Sequence, residues 1–348
     1  MLQDHGGERD ALAALRGNDP DRRAAITPVI QIVGGNKNPL SKEATRNRVK
    51  NIAIAVGKEW PFYLDFVRAD PARVLNTRWG DITTAEVAYR AARMRELPFV
   101  PVAWTHSRPA HLNAAANASI FDHRGLALRH SLLGTAQATG QSTADRLKAA
   151  LADLQVKAED IDLFLDLGYL DPDVEVSPRR LNRLVARCVD AAAWRRVVLV
   201  GGSMPSSLTI IPEGGSGLIE RREWALWRSL PADLRGRVEF GDYGVQNPVP
   251  PQGGGPGMRA NIRYCLDEHH LVVRGVGDVT IEGAAQYVGL CERLLQSGSF
   301  AGRSYSWGDS VIEDCARGDL LPGGQSLWRG AGTSRHIQAV SAQVLAQD

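Results

Sequence analysis

Short apolar, β-branched runs recur along the chain, and each is followed by apolar residues at helical spacing. A helix over Glu8–Arg16 comes first, and the Asn18-Asp19-Pro20 turn ends it. The runs at Ile26–Val33, Pro61–Val67, Phe99–Trp104, Gly125–His130, Asp162–Leu167, Val197–Gly201, Val238–Gly241 and His270–Arg274 predict strands. Helical spacing falls at Lys42–Glu59, Thr83–Glu96, Leu112–Ser119, Thr143–Leu154, Pro178–Ala193, Glu220–Leu230 and Gly283–Gln296. This alternation predicts an α/β fold with a parallel sheet. Eight strands and roughly eight helices match a (β/α)8 TIM-barrel-like fold in number and length. The alternative is an open doubly wound sheet, which normally shows a Gly-rich nucleotide turn after its first strand. Gly34-Gly35, followed by Asn36 and Lys37, is no such turn. The run Asn261–Leu266 can instead take His270–Arg274 as a hairpin partner. The reading divides the chain into a barrel domain over 1–297 and a C-terminal helical extension over 298–348, with helices near Ser310–Ala316 and Arg335–Ala346.

Composition narrows the class. The 348 residues are 44% hydrophobic and 23% charged, enough to build a core and too apolar for global disorder. No apolar run reaches the ~18 residues of a membrane helix, and Met1–His5 lacks the apolar core of a signal peptide. A cytoplasmic protein without a membrane partner is expected. A net charge of +2 gives no long-range field for nucleic acid, so that partner is disfavoured. Arg179-Arg180, Arg195-Arg196 and Arg221-Arg222 read as solvated helix faces. The four cysteines, Cys188, Cys265, Cys291 and Cys315, show no CxxC pair and no metal-site spacing with His. They read as buried free thiols, and no zinc site is expected.

In a barrel, chemistry sits at the C-terminal ends of the strands. Three strands end in Asp after an apolar run, at Asp65, Asp166 and Asp242, and two end in Arg, at Arg129 and Arg274. An Asp in such a run is costly to bury unless an Arg, a cation or a substrate compensates it. Three carboxylates converging on one mouth would hold Mg²⁺ or Mn²⁺. Arg forks would hold a phosphate or carboxylate. Asp65, Asp166 and Asp242 are therefore the candidate catalytic residues. Arg129, Arg274, Arg263, Tyr243, Gln246, Asn247, Ser203 and Gln31 are the candidate substrate-binding residues. The same acids would otherwise be structural, paired with Arg129, Arg274 or Arg263. The segments Phe240–Pro248 and Gly201–Ser207 follow strands and suit a ligand, whereas Ser203 fails the GxSxG pattern of a hydrolase elbow. No nicotinamide or flavin signature is present. Trp224 and Trp227 read as core, and Asp309 reads as a helix N-cap after Trp307-Gly308.

Several segments resemble the phage-type beta protein family of tailed phages and bacterial genomes. They are Ile26–Ile30, Leu163–Gly168, Glu239–Gly244, Ala260–Tyr264, Val273–Gly275, Gln286-Tyr287, Tyr305–Asp309 and Gly332-Thr333. The resemblance implies a role in phage–host conflict or mobile elements, and carries no reaction with it. Two features depart from the family. The family opens with an extra strand, for which Met1–Gly7 reads as too short and polar. Its first strand ends in Glu, where this chain has Gln31, and an amide is no carboxylate base. Two functions follow. One is a barrel hydrolase or lyase acting on an anionic substrate, a phosphorylated one among the options, at the C-terminal mouth. The other is a non-catalytic ligand-sensing or protein-binding module.

Overall fold

A computed structural model describes residues 1–18, 20–34, 39–77, 80–133, 142–249 and 259–347. Gly35, Asp19 and most of the Pro248–Gly257 loop lie outside the described residues. The strands are β1 (Leu2–Gln3), β2 (Val29–Val33), β3 (Phe62–Val67), β4 (Val74–Thr77), β5 (Gly80–Thr83), β6 (Phe99–Trp104), β7 (Leu126–Ser131), β8 (Ile161–Tyr169), β9 (Arg196–Gly202), β10 (Ser216–Glu220), β11 (Glu239–Asp242), β12 (Asn261–Cys265) and β13 (His269–Arg274).

The chain forms two compact units that interleave in sequence. The first holds Met1–Gln3, Thr27–Gly202 and Arg222–Tyr243; the second holds Asp4–Ile26, Ser203–Arg221 and Gly244–Asp348. In the first unit, eight parallel strands run in the order β1-β2-β3-β6-β7-β8-β9-β11. That is chain order without reversal, so the sheet is not doubly wound. Its edges are β1 and β11, and among the described residues no ladder joins them. The closed barrel expected from the sequence is therefore corrected to a strongly curled open sheet, a half-barrel flanked by helices. The edges still meet at one point, where the amino group of Met1 donates to the carbonyl of Asp242.

Two misreadings explain the difference. The run His270–Arg274 is not the eighth parallel strand. It forms β13, the centre of an antiparallel sheet in the second unit, between β10 and β12. The first parallel strand comes instead from the segment set aside as too short and polar. Leu2 and Gln3 pair with Ile30 and Gln31 of β2. A two-residue strand cannot carry a second long ladder, and the curl stays open.

Alternation along the parallel strands sets the faces. On β3, Phe66 packs edge-on against Tyr89 of the Thr84–Arg93 helix. Tyr63 points the other way, into a cluster with Val29, Val100, Val102, Ala127, Phe164, Val200 and Tyr243. That inner face is apolar through its middle and polar at both ends. At the N-terminal end, Asp162 accepts from Tyr63 Oη at 2.7 Å and from the fork of Arg195 at 2.7 and 2.5 Å. Arg195 is thus committed to a buried acid and is no solvated helix face. Trp224 and Trp227 are core as expected, stacked at 5.3 Å with Phe240 edge-on to both.

In the second unit, the antiparallel sheet packs with helices Gln286–Gln296, Trp307–Arg317 and Gln325–Leu345 around Tyr264, Tyr287, Ile312 and Trp328. The helix after Trp307 is capped by Ser306, not Asp309. Ser306 Oγ accepts from the Asp309 amide at 3.1 Å and donates to Asp309 Oδ2 at 2.6 Å. Arg221, read as solvated, is fully buried and donates to the carbonyls of Leu266 and Asp267. The four cysteines are free and buried. Among the described residues, no helix is long and apolar enough to cross a membrane.

Candidate functional site

The sequence-derived site residues divide between the two units. Gln31, Asp65, Arg129, Asp166, Asp242 and Tyr243 belong to the first; Ser203, Gln246, Asn247, Arg263 and Arg274 belong to the second.

In the first unit, the inward residues at the C-terminal strand ends form one network around Arg129. Its Nη1 donates to Asp65 Oδ2 at 2.5 Å, and its Nε and Nη2 donate to Asp166 Oδ2 at 3.1 and 2.8 Å. Nη2 also meets the Tyr243 hydroxyl, which donates to Asp166 Oδ1 at 2.9 Å. Backbone amides of Phe66 and Gly168 complete the two carboxylates at 2.8 and 2.9 Å. Gln31 Nε2 donates to Asp65 Oδ2 at 3.0 Å. A glutamate at position 31 would set a second carboxylate against Asp65. The guanidinium lies over the Trp104 ring at 4.0 Å. Asp65, Arg129 and Asp166 are each at most 4% exposed. Burial lowers the Arg129 pKa, but Tyr243, Asp166 and Asp65 outweigh it and hold the guanidinium above its ordinary range. Burial pushes the Tyr243 hydroxyl up, so it stays a neutral donor.

This is a closed constellation. Arg129 is spent on two acids and a phenol, which leaves no fork for an incoming anion. Asp242 stands apart in role: its carbonyl receives Met1 and its side chain is half-buried. Among the described residues, the group whose ligand atoms cluster tightly enough for a cation is not the three aspartates. It is Cys265, His270 and His336, in the second unit.

The neighbouring histidines are neutral as well. Burial lowers His130 to about 4, and its Nδ1 lies 2.9 Å from Thr105 Oγ1. Burial likewise lowers His111 to about 4, between Ser107 and Tyr89.

In the second unit, Arg274 is engaged. It bonds the carbonyls of Leu208 and Ile211 and lies 3.6 Å from Glu213. Asn247 is a loop brace, donating to the Met204 carbonyl at 2.8 Å. Ser203 is buried at the start of the loop after β9. Arg263 and Gln246 differ, because both line a cleft. Its walls are Val245, Gln246, Asn261, Arg263, Tyr287, Gln325, Trp328 and Arg329, around about 380 Å³ of empty space that opens to solvent. Among the described residues, Arg263 is aimed by neutral oxygens: Val245 O at 2.7 Å, Gln246 Oε1 at 3.2 Å and Asn261 Oδ1 at 3.2 Å. Burial and then the Arg329 charge lower it to about 10. Tyr287 and Trp328 stack at 4.5 Å and stiffen one wall.

Glu8 shares the field of these two cations. It is 1% exposed, and among the described residues neither of its carboxylate oxygens has a hydrogen-bond partner. Burial raises it to about 7, with Arg329 and Arg263 pulling the other way. Sequence reasoning missed Glu8, Arg329, Trp328 and Gln325. A signal existed for three of them: Gln325, Trp328 and Arg329 stand at i, i+3 and i+4 of one helix, hence on one face.

No curated protein of known function matches the sequence. The family model described as Beta protein matches residues 2–342, nearly the whole chain, and the chain belongs to that family.

Proposed function

We propose that the protein is a ligand-sensing module that holds a small anion in the cleft between Arg263 and Arg329, without turning it over. One observation carries this reading: two guanidiniums line one cleft, and the bonds that aim Arg263 go to neutral oxygens. Their mutual repulsion is relieved by a ligand with a phosphate or carboxylate group, which suits Arg forks. Gln246, Asn261 and Gln325 add neutral donors and acceptors around that charge. The hydrolase or lyase reading needs free acids and a free Arg at the strand ends. Against it stands the mutual saturation of Asp65, Arg129, Asp166 and Tyr243. In the phage–host setting that the family resemblance implies, such a module would report an anionic metabolite or a partner's anionic group.

Calorimetric titration of the full chain with inorganic phosphate tests this. Saturable binding is expected, weakened about tenfold by Arg329→Gln, the worth of one charge-assisted hydrogen bond. Equal heats from the wild type and Arg329→Gln would overturn it.

A further inference from the structure

We propose that Cys265, His270 and His336 form a zinc site. The three side chains come from three segments. Cys265 closes β12, His270 lies on β13, and the two are direct cross-strand partners in the antiparallel register. Side chains of such a pair stand on the same face of the sheet. His336 comes from the Gln325–Leu345 helix. The Leu266 amide, bonded to the His269 carbonyl at 2.8 Å, holds the hairpin turn that sets the pair.

The ligand atoms lie within 4.8 Å of one another, and the three residues are 0%, 1% and 3% exposed. The imidazole rings lie 5.5 Å apart with a 28° tilt. A tetrahedral zinc with ligand bonds of about 2.0–2.3 Å needs its donors roughly 3.3–3.8 Å apart. Small rotamer adjustments reach that from the observed cluster. One thiolate and two imidazoles form a borderline-soft donor set, which suits Zn²⁺ and not the Mg²⁺ or Mn²⁺ considered for the aspartates. Three protein donors leave one position for water or a further ligand. Buried where hairpin and helix meet, the ion would tie the Gln325–Leu345 helix to the antiparallel sheet. No step of ligand sensing in the cleft depends on it.

The linear spacing hid this site. His270 follows Cys265 by five positions across a hairpin, and His336 lies 66 residues further on. Neither interval reads as a zinc motif.

The test uses the full chain, purified without a histidine tag. Elemental analysis should find about one zinc per chain. Exchange for Co²⁺ should give a thiolate-to-cobalt charge-transfer band in the near ultraviolet with visible ligand-field bands. Cys265→Ser should abolish that band and weaken zinc binding by about 100-fold or more, beyond the effect of losing a supporting group. Cys188→Ser, a buried thiol elsewhere, should leave both unchanged. If Cys265→Ser fails to fold, the wild-type cobalt spectrum alone decides. A wild type that takes up neither ion, or whose cobalt spectrum lacks the thiolate band, would overturn the proposal.

Discussion

At the scale of single residues, two buried charges make opposite predictions. Glu8 has a folded-state pKa of about 7, against 4.5 for an ordinary carboxyl. Between those values the folded protein keeps a proton that the unfolded chain has released. Stability is therefore greatest below this window and falls as pH rises through it, by about 3 kcal/mol in total. Glu8→Gln removes that loss. It should raise the midpoint of urea unfolding at pH 8 and leave it unchanged at pH 4. The same ionisation opposes the two cleft cations, so binding of sulfate, whose charge is constant here, should weaken as pH rises through about 7. The pH dependence should vanish in Glu8→Gln. Arg129 is the reverse case, a charge whose partners are all present. Arg129→Met would leave Asp65 and Asp166 buried without their cation. A loss of about 3–5 kcal/mol is expected, read by denaturant unfolding.

At the scale of elements, small residues decide how closely helices approach. A Cβ on Gly308 would lie 2.0 Å from the carbonyl oxygen of Ala331 on the neighbouring helix. That atom is backbone and cannot swing aside. Gly308→Ala should destabilise by about 1–3 kcal/mol, as overpacking does. Gly289 is an internal contrast: it sits inside the Gln286–Gln296 helix, and a Cβ there meets nothing within 4 Å. Gly289→Ala should stabilise by about 0.5–1 kcal/mol in the same assay, from helix propensity alone.

The elements also show what was legible in the sequence. The strands from β2 to β9 in the parallel sheet are readable because each carries a largely buried, mostly apolar stretch. β13 has the same signature, five consecutive buried residues, yet it pairs antiparallel. Burial on both faces is all that such a run reports, and pairing direction is not encoded in it. β1 went unread because two residues carry no period. At the site, Asp65, Asp166, Arg129 and Tyr243 were found because a polar residue ending an apolar strand stands out. Their pairing with one another stays one of two options at the level of sequence, since it depends on which strands neighbour. Glu8 and Arg329 were missed because a charge on an amphipathic helix usually faces solvent.

At the scale of the whole molecule, the chain builds two units by passing back and forth between them. The first spends its acids on a closed network around Arg129, and the second keeps a cationic cleft open. The proposed sensing role rests on that division: the acids around Arg129 are bonded to one another, and Arg263 and Arg329 line the cleft. The most direct measurement is a crystal structure of the full chain grown with selenate, a sulfate analogue located by its anomalous signal. The account predicts selenate between Arg263 and Arg329, with Asp65, Arg129 and Asp166 unchanged. Selenate bound beside Arg129, with its aspartates displaced, would contradict it and return the chemistry to the end of the parallel sheet.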